Sequence, residues 1–454
     1  MSADTIVALS TPPGRGAIGV IRISGKDSLV LTRSLTLDPE FSPEPNRVYL
    51  KAIHHRDNGE VIDRALVTYF KSPHSYTGED VVEFSCHGSP PLLLSVIDSL
   101  LFLGARAANP GEFTMRALIN GRINLTQAEA VRDLIDAQTH AAVRQATQQL
   151  GGELSARLQP IKDSLIEIIV LLESSLEFVE DDLPSDVLHD LSKNLSRLSD
   201  EVKEMADTFR RGRLLKEGIR IALVGRPNVG KSSIFNGLLS ADRAIVTDVP
   251  GTTRDTLSEV VNIEGIPILI TDTAGVRTAT DKIEKLGIER TRRAISDADL
   301  VIVVLDGSQP LATEDHLIIK EASDNLFVIA LNKNDLEGFR IENARGAKVN
   351  SAIISVSAKT RDGIERLRTT IIEPFSSAKT YEDNFVITNA RHYELLRRIG
   401  EALDESERLL QQKISEELIA AKLYQALKFL DEITGETTPG DVLSQIFSTF
   451  CIGK

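Results

Sequence analysis

The sequence predicts a chain of three unlike parts: an α+β segment, a helical domain, and an α/β domain inserted into that helical domain. Three observations predict this. The length of 454 residues corresponds to roughly three domains at about 150 residues each. The hydrophobic pattern changes near Leu125 from short strand-like runs to a helical period, and changes again at Gly218. Beyond Gly218, apolar runs alternate with helix-length segments, the pattern of a doubly wound, largely parallel sheet.

The elements follow in order. Ile18 to Ile23, Ala65 to Phe70 and Val81 to Ser85 are short apolar or alternating runs punctuated by Gly and Pro, and Leu92 to Leu103 reads as a helix. From Leu125 to Arg211 the pattern is helical. Leu188, Leu191, Leu195, Leu198, Val202, Met205 and Phe209 recur at spacings of three and four, which makes one apolar helix face suited to a bundle. The runs Ile219 to Val224, Ile268 to Ile270, Leu300 to Leu305, Phe327 to Leu331 and Ile353 to Val356 are the strands of the α/β domain. Leu257 to Ile263, followed by Gly265, adds a hairpin partner at one edge. After Pro374 the helical pattern returns, with Leu395, Leu396, Ile399 and Leu403 on one face. The two helical halves flank the α/β domain and are expected to pack together. The expected domains are 1–120, 121–215 with 378–454, and 216–377.

Composition excludes several classes. With 42% apolar and 26% charged residues, the chain can bury several cores and is not mainly disordered. No apolar run approaches the ~20 residues of a membrane span, and the start has no signal-peptide pattern, so the expected location is cytoplasmic. Cys86 and Cys451 are the only cysteines, which excludes a disulfide framework and a four-cysteine zinc site. A net charge of -14 makes the whole surface a poor non-specific binder of nucleic acid. No basic RNA-binding module stands out, so RNA affinity is expected to be local or supplied by a partner.

The chemistry-bearing motifs lie after Gly218. Gly225 to Ser232 (GRPNVGKS) matches the phosphate-binding pattern G-x-x-x-x-G-K-S and sits between a strand and a helix. Its glycines let backbone N–H groups close around phosphates, Lys231 would reach the β- and γ-phosphates, and Ser232 would ligate Mg²⁺. Asp272-Thr273-Ala274-Gly275 resembles the DxxG element of GTPases, and Gly251-Thr252-Thr253 lies where a switch threonine belongs, with Thr253 completing the metal shell. Asn332-Lys333-Asn334-Asp335 and Ser357-Ala358-Lys359 resemble the base-reading elements of Ras-like GTPases. A carboxylate at Asp335 can accept from guanine N1–H and its amino group together, whereas adenine would leave that charge unpaired. Four motifs in this order predict GTP binding. Hydrolysis departs from the Ras pattern, because Val276 follows the DxxG glycine and cannot orient water. Asp281 and Glu284 are candidates for that task, and Arg254 and Arg277 for a transition-state cation.

The whole chain resembles the MnmE (TrmE) family of tRNA modification GTPases. The carriers are TPPGRGAIGVIRISG (Thr11 to Gly25), SYTGEDVVEFSCHG (Ser75 to Gly88), NPGEFTMRALINGRINLTQAEAV (Asn109 to Val131), GRPNVGKSS, IVTDVPGTTRD, DTAG and the terminal FCIGK from Phe450 to Lys454. The resemblance implies an N-terminal folate-binding-like α+β domain that mediates dimerisation, a discontinuous helical bundle, and an inserted Ras-like P-loop GTPase domain. It implies work with the flavoprotein MnmG (GidA), as a heterotetramer, on wobble uridines of certain tRNAs. FAD and NADH would belong to that partner, and a methylene or formyl tetrahydrofolate would carry the one-carbon unit.

Site roles follow from the same resemblance. The GTP site comprises Asn228, Val229, Gly230, Lys231, Ser232 and Ser233, the segment Thr247, Asp248, Val249, Pro250, Gly251, Thr252 and Thr253, then Asp272 to Gly275, Asn332, Lys333, Asp335, Ser357, Ala358 and Lys359. Asn228, Thr247, Val249 and Thr252 match the K⁺ ligands, a cation that can replace an arginine finger, and Glu284 matches the residue that positions water. Two G domains would meet across the dimer when both hold GTP, K⁺ and Mg²⁺. Arg22, Glu83, Arg122 and Lys454 match folate-binding positions, where Glu suits a pterin N–H edge and Arg or Lys a carboxylate. Asn124 stands where the family more often has Asp. Cys451 has two readings, a nucleophile beside the folate pocket or a buried inert thiol; a prenylation box is disfavoured by its Gly and terminal Lys. Cys86 reads as structural. The alternative function is a non-catalytic GTP switch in ribosome assembly.

Overall fold

The structure, a computed structural model, describes residues 4–177, 185–239, 258–272, 292, 294–345, 351–375, 385–412, 414–437, 443 and 446–453. The chain forms two compact units, one of residues 1–132, 149–164 and 427–454, the other of 133–148 and 165–426.

The first unit is built on a six-stranded sheet. Its strands are β1 (Ile6–Leu9), β2 (Ile18–Ser24), β3 (Val48–His54), β4 (Val61–Phe70), β5 (Val81–His87) and β6 (Arg106–Ala107), in the spatial order β3-β4-β5-β2-β1-β6. All neighbours are antiparallel except β1 and β6. The alternation read from the sequence produces one buried face: Ile21, Ile23, Val67, Val82 and Phe84 pack with Leu31 and Leu35 of α1 (Ser28–Leu35) and Leu93, Val96 and Leu100 of α2 (Pro90–Phe102). The opposite face carries Arg22 and Glu83, directly paired across β2 and β5. Beyond α3 (Glu112–Ile119), α4 (Leu125–Asp136) is opened by Asn124. Its Oδ1 accepts the Gln127 N–H at 2.9 Å, and Gln127 Oε1 accepts the Asn124 N–H at 3.0 Å. This reciprocal cap satisfies two otherwise orphaned donors and needs no carboxylate at position 124.

Helices α5 (His140–Leu150) and α6 (Glu153–Glu177) are each divided between the units; in the second, the long α7 (Ser185–Asp207) runs almost directly into α8 (Phe209–Glu217). Leu191, Leu195, Leu198 and Val202 are buried as expected. Leu188 and Met205 are only half-buried and Ala206 takes the inner position, because a straight helix drifts off a strict heptad; Phe209, also half-buried, already belongs to α8.

A parallel-rich sheet follows: β7 (Ile219–Val224), β8 (Ser258–Ile263), β9 (Ile266–Asp272), β10 (Leu300–Asp306), β11 (Phe327–Asn332) and β12 (Ile353–Ser355), in the order β12-β11-β10-β7-β9-β8. Every neighbour is parallel except the edge hairpin β8–β9. All seven residues of β10 are buried, as a strand covered on both faces requires. Around the sheet lie α9 (Lys231–Leu239), α10 (Thr313–Ala322), α11 (Glu342–Arg345) and α12 (Ile364–Ile372). The chain returns through α13 (Ala390–Gln411) and α14 (Glu416–Thr434). Helix α13 packs antiparallel on α7: Asp404 accepts from Ser199 and Lys203, Ser192 donates to Glu407, and Phe209 stacks on Tyr393 at 4.5 Å. The helical stretches before and after the α/β sheet thus share one interface. No helix among the described residues is long and apolar enough to cross a membrane.

Candidate nucleotide and anion sites

Successive connections from β7 lead to opposite sides of the strand, first to β9 and then to β10. The crevice at the carboxyl ends of these strands is the switch point at which open α/β sheets bind ligands. The GRPNVGKS loop leaves β7 there. Asn228 has φ 64, a left-handed conformation that Asn tolerates. Gly230 has φ 101, and a Cβ at that position would collide with Asn332 Nδ2, so sterics and backbone both require glycine. Lys231 opens α9 and curls back across the loop, its Nζ donating to the carbonyls of Gly225 at 2.7 Å and Arg226 at 2.8 Å.

Three further strand ends converge on this loop. Asp272 ends β9 opposite Leu223. Asn332 ends β11; its Nδ2 donates to Val229 O at 2.8 Å and its Oδ1 accepts the Ala358 N–H at 3.0 Å. One buried amide therefore holds the phosphate loop and the Ser357–Lys359 loop together. Ser357 donates to Asp335 Oδ1 at 2.7 Å, which fixes this carboxylate at the strand ends. Lys333, at φ 70, reaches Asp306 Oδ2 at 2.6 Å. Burial alone would raise the Asp306 carboxyl, but the bonds from Lys333 and Ser308 outweigh it and hold the group below its ordinary value. Arg226 pairs at 2.7 Å with Asp315, a fully buried carboxylate whose Oδ2 accepts the Ala312 N–H at the start of α10. Asp306, Arg226 and Asp315 were not singled out in the sequence. Arg226 stands at a position that the phosphate-loop pattern leaves free, Asp306 and Asp315 belong to no spaced motif, and the one available signal was an Asp at the end of an apolar strand.

Thr247, Asp248, Val249, Pro250, Gly251, Thr252, Thr253, Arg254, Thr273, Ala274, Gly275, Val276, Arg277, Asp281 and Glu284 lie outside the described residues, as does the Lys454 position.

On the open face of the first sheet, Arg22 meets Glu83 through Nε at 2.8 Å and Nη2 at 2.7 Å, both at Oε1. The guanidinium also lies 5.5 Å from the Tyr76 ring centroid and 5.7 Å from that of Phe113, a cation–π setting. Burial pushes the Tyr76 phenol up despite the nearby Arg22 charge. Arg122 is anchored by its N–H to Ala117 O at 2.8 Å and packs on Gly78, two residues from Tyr76. The structure therefore brings Arg22 and Glu83 into contact, while Arg122 packs on Gly78 with no direct contact to either among the described residues. The tail segment returns to this unit. Gly111 N–H donates to Cys451 O at 3.3 Å, and Ser10 donates to Gly453 O at 3.1 Å. Cys451 is exposed, which removes the reading of a buried inert thiol: Phe447 and Phe450 fill the apolar contact with Ala128 instead. Cys86 is buried, and burial together with Asp63 pushes its thiol up to about 12, as suits a structural residue.

Comparison with known proteins agrees with this arrangement. The family model described as the MnmE helical domain matches residues 125–451, and that of the GTP-binding protein TrmE N-terminus matches 5–122. Proteins named tRNA modification GTPase MnmE are similar over full length. That of Koribacter versatilis is 43% identical over 99% of both chains. Those of Natranaerobius thermophilus and Aquifex aeolicus are each 40% identical, over 100% of both chains and over 99% and 100% respectively. With an N-terminal sheet, a split helical domain and an inserted P-loop GTPase domain, this chain belongs to the MnmE family of tRNA modification GTPases.

Proposed function

We propose that the chain hydrolyses GTP and, with a flavoprotein partner of the MnmG (GidA) type, forms the 5-carboxymethylaminomethyl-type group on the wobble uridine of certain tRNAs. The observation that carries the nucleotide half is the Asn332–Asp335–Ser357 constellation at the strand ends beside the phosphate loop. Ser357 takes one acceptor site on Asp335 Oδ1 and leaves both oxygens able to accept from the guanine edge, so GTP is favoured over ATP by a charge that adenine leaves unpaired.

Lys231 would exchange its two loop carbonyls for phosphate oxygens, since charge-assisted bonds to phosphate are stronger than bonds to neutral carbonyls. Ser232 and Thr253 would hold Mg²⁺, and Asn228 with Thr247, Val249 and Thr252 would hold K⁺. The left-handed Asn228, on the rim of the loop, is an oxygen donor suited to such an ion. These cations, when bound, would supply fixed positive charge to the phosphates. Glu284 orients the water that attacks the γ-phosphorus, giving GDP and phosphate, and a homodimer brings the two G domains together. In the first unit, Arg22, Glu83, Arg122 and Lys454 are assigned to a tetrahydrofolate. Both Arg22 contacts fall on Glu83 Oε1, so Oε2 remains for a pterin N–H edge. Cys451, exposed on this unit, is a candidate nucleophile in the one-carbon step.

The test is mass spectrometry of tRNA nucleosides from a deletion strain complemented with the wild-type chain or with Asp335→Asn. The wild type should restore the modified wobble uridine and the variant should not. An unchanged nucleoside profile in the deletion strain overturns the proposal. GTPase turnover in KCl against NaCl at equal ionic strength tests the cation assignment, and equal rates overturn it.

A further inference from the structure

Helix α8 is the exception in an acidic chain. Between residues 209 and 220 stand Arg210, Arg211, Arg213, Lys216 and Arg220 against the single acid Glu217, a net charge of +4 within a chain of -14. The run is too short to register as a basic module by composition; it spans α8 and the start of β7. All five cations are exposed, while Gly212, Leu214 and Leu215 face inward. Lys216 is anchored on Asp133 at 2.7 Å and Arg213 lies 3.6 Å from Glu217. Arg210 and Arg211 have no acidic partner among the described residues. On the neighbouring α13, Glu394 is committed to Arg397 and Arg398.

The base beneath these arginines is rigid. Thr208 Oγ1 accepts the Ile387 N–H at 2.9 Å, and Gly212 lies so close to the Ile387 carbonyl that a Cβ would collide with it. Beside the arginines, Phe209 stacks on Tyr393 at 13° between ring planes, and both rings are half-exposed.

We propose that the exposed arginines of α8, with the adjoining Phe209–Tyr393 pair, form a docking site for the sugar–phosphate backbone of the tRNA substrate. This rests on the tRNA-modification reading above. Three features select RNA. Guanidinium forks match phosphate oxygens bidentately. A partly exposed aromatic pair offers a stacking platform for an unpaired base. A helix that lies on a lipid surface turns its apolar face outward, whereas the leucines of α8 are buried in the protein. The surface also has a route to the nucleotide site, since Gly218 alone separates α8 from β7, the strand that delivers the phosphate loop.

The test is fluorescence anisotropy of a labelled, unmodified tRNA with the full-length protein across a range of KCl. Each phosphate contact contributes about 0.7–0.9 to the slope of log affinity against log salt. The variant Arg210→Gln/Arg211→Gln/Arg213→Gln should therefore flatten the slope by about 2 to 3, while GTP affinity and melting temperature stay those of wild type. The matching triple Lys variant should recover most of the slope, which a merely structural role would not predict. An unchanged slope in the Gln variant overturns the proposal, as does wild-type tRNA binding without salt dependence. Binding to anionic vesicles that is lost in the Gln variant, with tRNA binding intact, would also overturn it and assign the site to a membrane. The nucleoside assay judges the modification reading separately, since it needs no knowledge of where the tRNA docks.

Discussion

Asn332→Ala tests how the two halves of the nucleotide site are held together. The side chain is 3% exposed and makes two bonds, to Val229 O at 2.8 Å and from Ala358 N at 3.0 Å. Truncation leaves a buried carbonyl and a half-buried N–H unpaired, at about 1–3 kcal/mol for a buried group stranded in this way. Solvent can reach Ala358 N more readily than Val229 O, so a total near 2 kcal/mol is expected. If nucleotide must restore the loop geometry that the amide no longer enforces, GDP affinity falls by up to about 30-fold, at 1.4 kcal/mol per decade. Asn332→Asp sharpens the test. It keeps an acceptor for the Ala358 N–H but sets a carboxylate against the Val229 carbonyl, so it should bind GDP no better than the Ala variant. Calorimetric titration with GDP and a thermal melt of each variant measure both effects. Affinity within twofold of wild type in both variants would refute the idea that this amide preorganises the loop.

Three further outcomes are expected. Glu284→Ala should retain GTP affinity and lose turnover by about 10²-fold or more, because a group that orients water acts on the chemical step; equal loss of binding and turnover would indicate a structural role. Glu83→Gln should weaken calorimetric binding of a reduced folate by about tenfold while Arg22 keeps a neutral partner, and unchanged affinity would remove Glu83 from that site. Asp306→Asn should destabilise the protein by about 1–3 kcal/mol through loss of the Lys333 pairing. Because the folded state depresses the Asp306 carboxyl below its ordinary 3.8, its contribution is complete above that value and fades as pH falls through the lower folded value. Acid-unfolding curves of wild type and variant should therefore converge at low pH and separate above about pH 4; parallel curves would contradict the assignment.

Much of the architecture was legible because it is encoded locally. The period of Leu191, Leu195, Leu198 and Val202 specifies an α7 face wherever that face packs, and the full apolar run of β10 specifies a strand covered on both sides. The phosphate loop was legible for the same reason, since its glycines, lysine and serine act within eight consecutive residues. Tertiary structure decided what joins distant segments. Asn332 and Val229 are 103 positions apart, and Arg22 and Glu83 are 61 apart. Nothing in their local sequence states that an amide will bridge two loops or that an ion pair will lie across two strands. The sheet order decides these contacts, and it is set by the burial of many side chains at once. Exposure of Cys451 was decided in the same way, by Phe447 and Phe450 taking the apolar contact. The arginines of α8 were visible as letters, but only the tertiary structure, by burying Gly212, Leu214 and Leu215 between them, showed that all of them stay exposed. A side chain's neighbours depend on how the entire chain closes, whereas its periodicity depends only on the residues beside it.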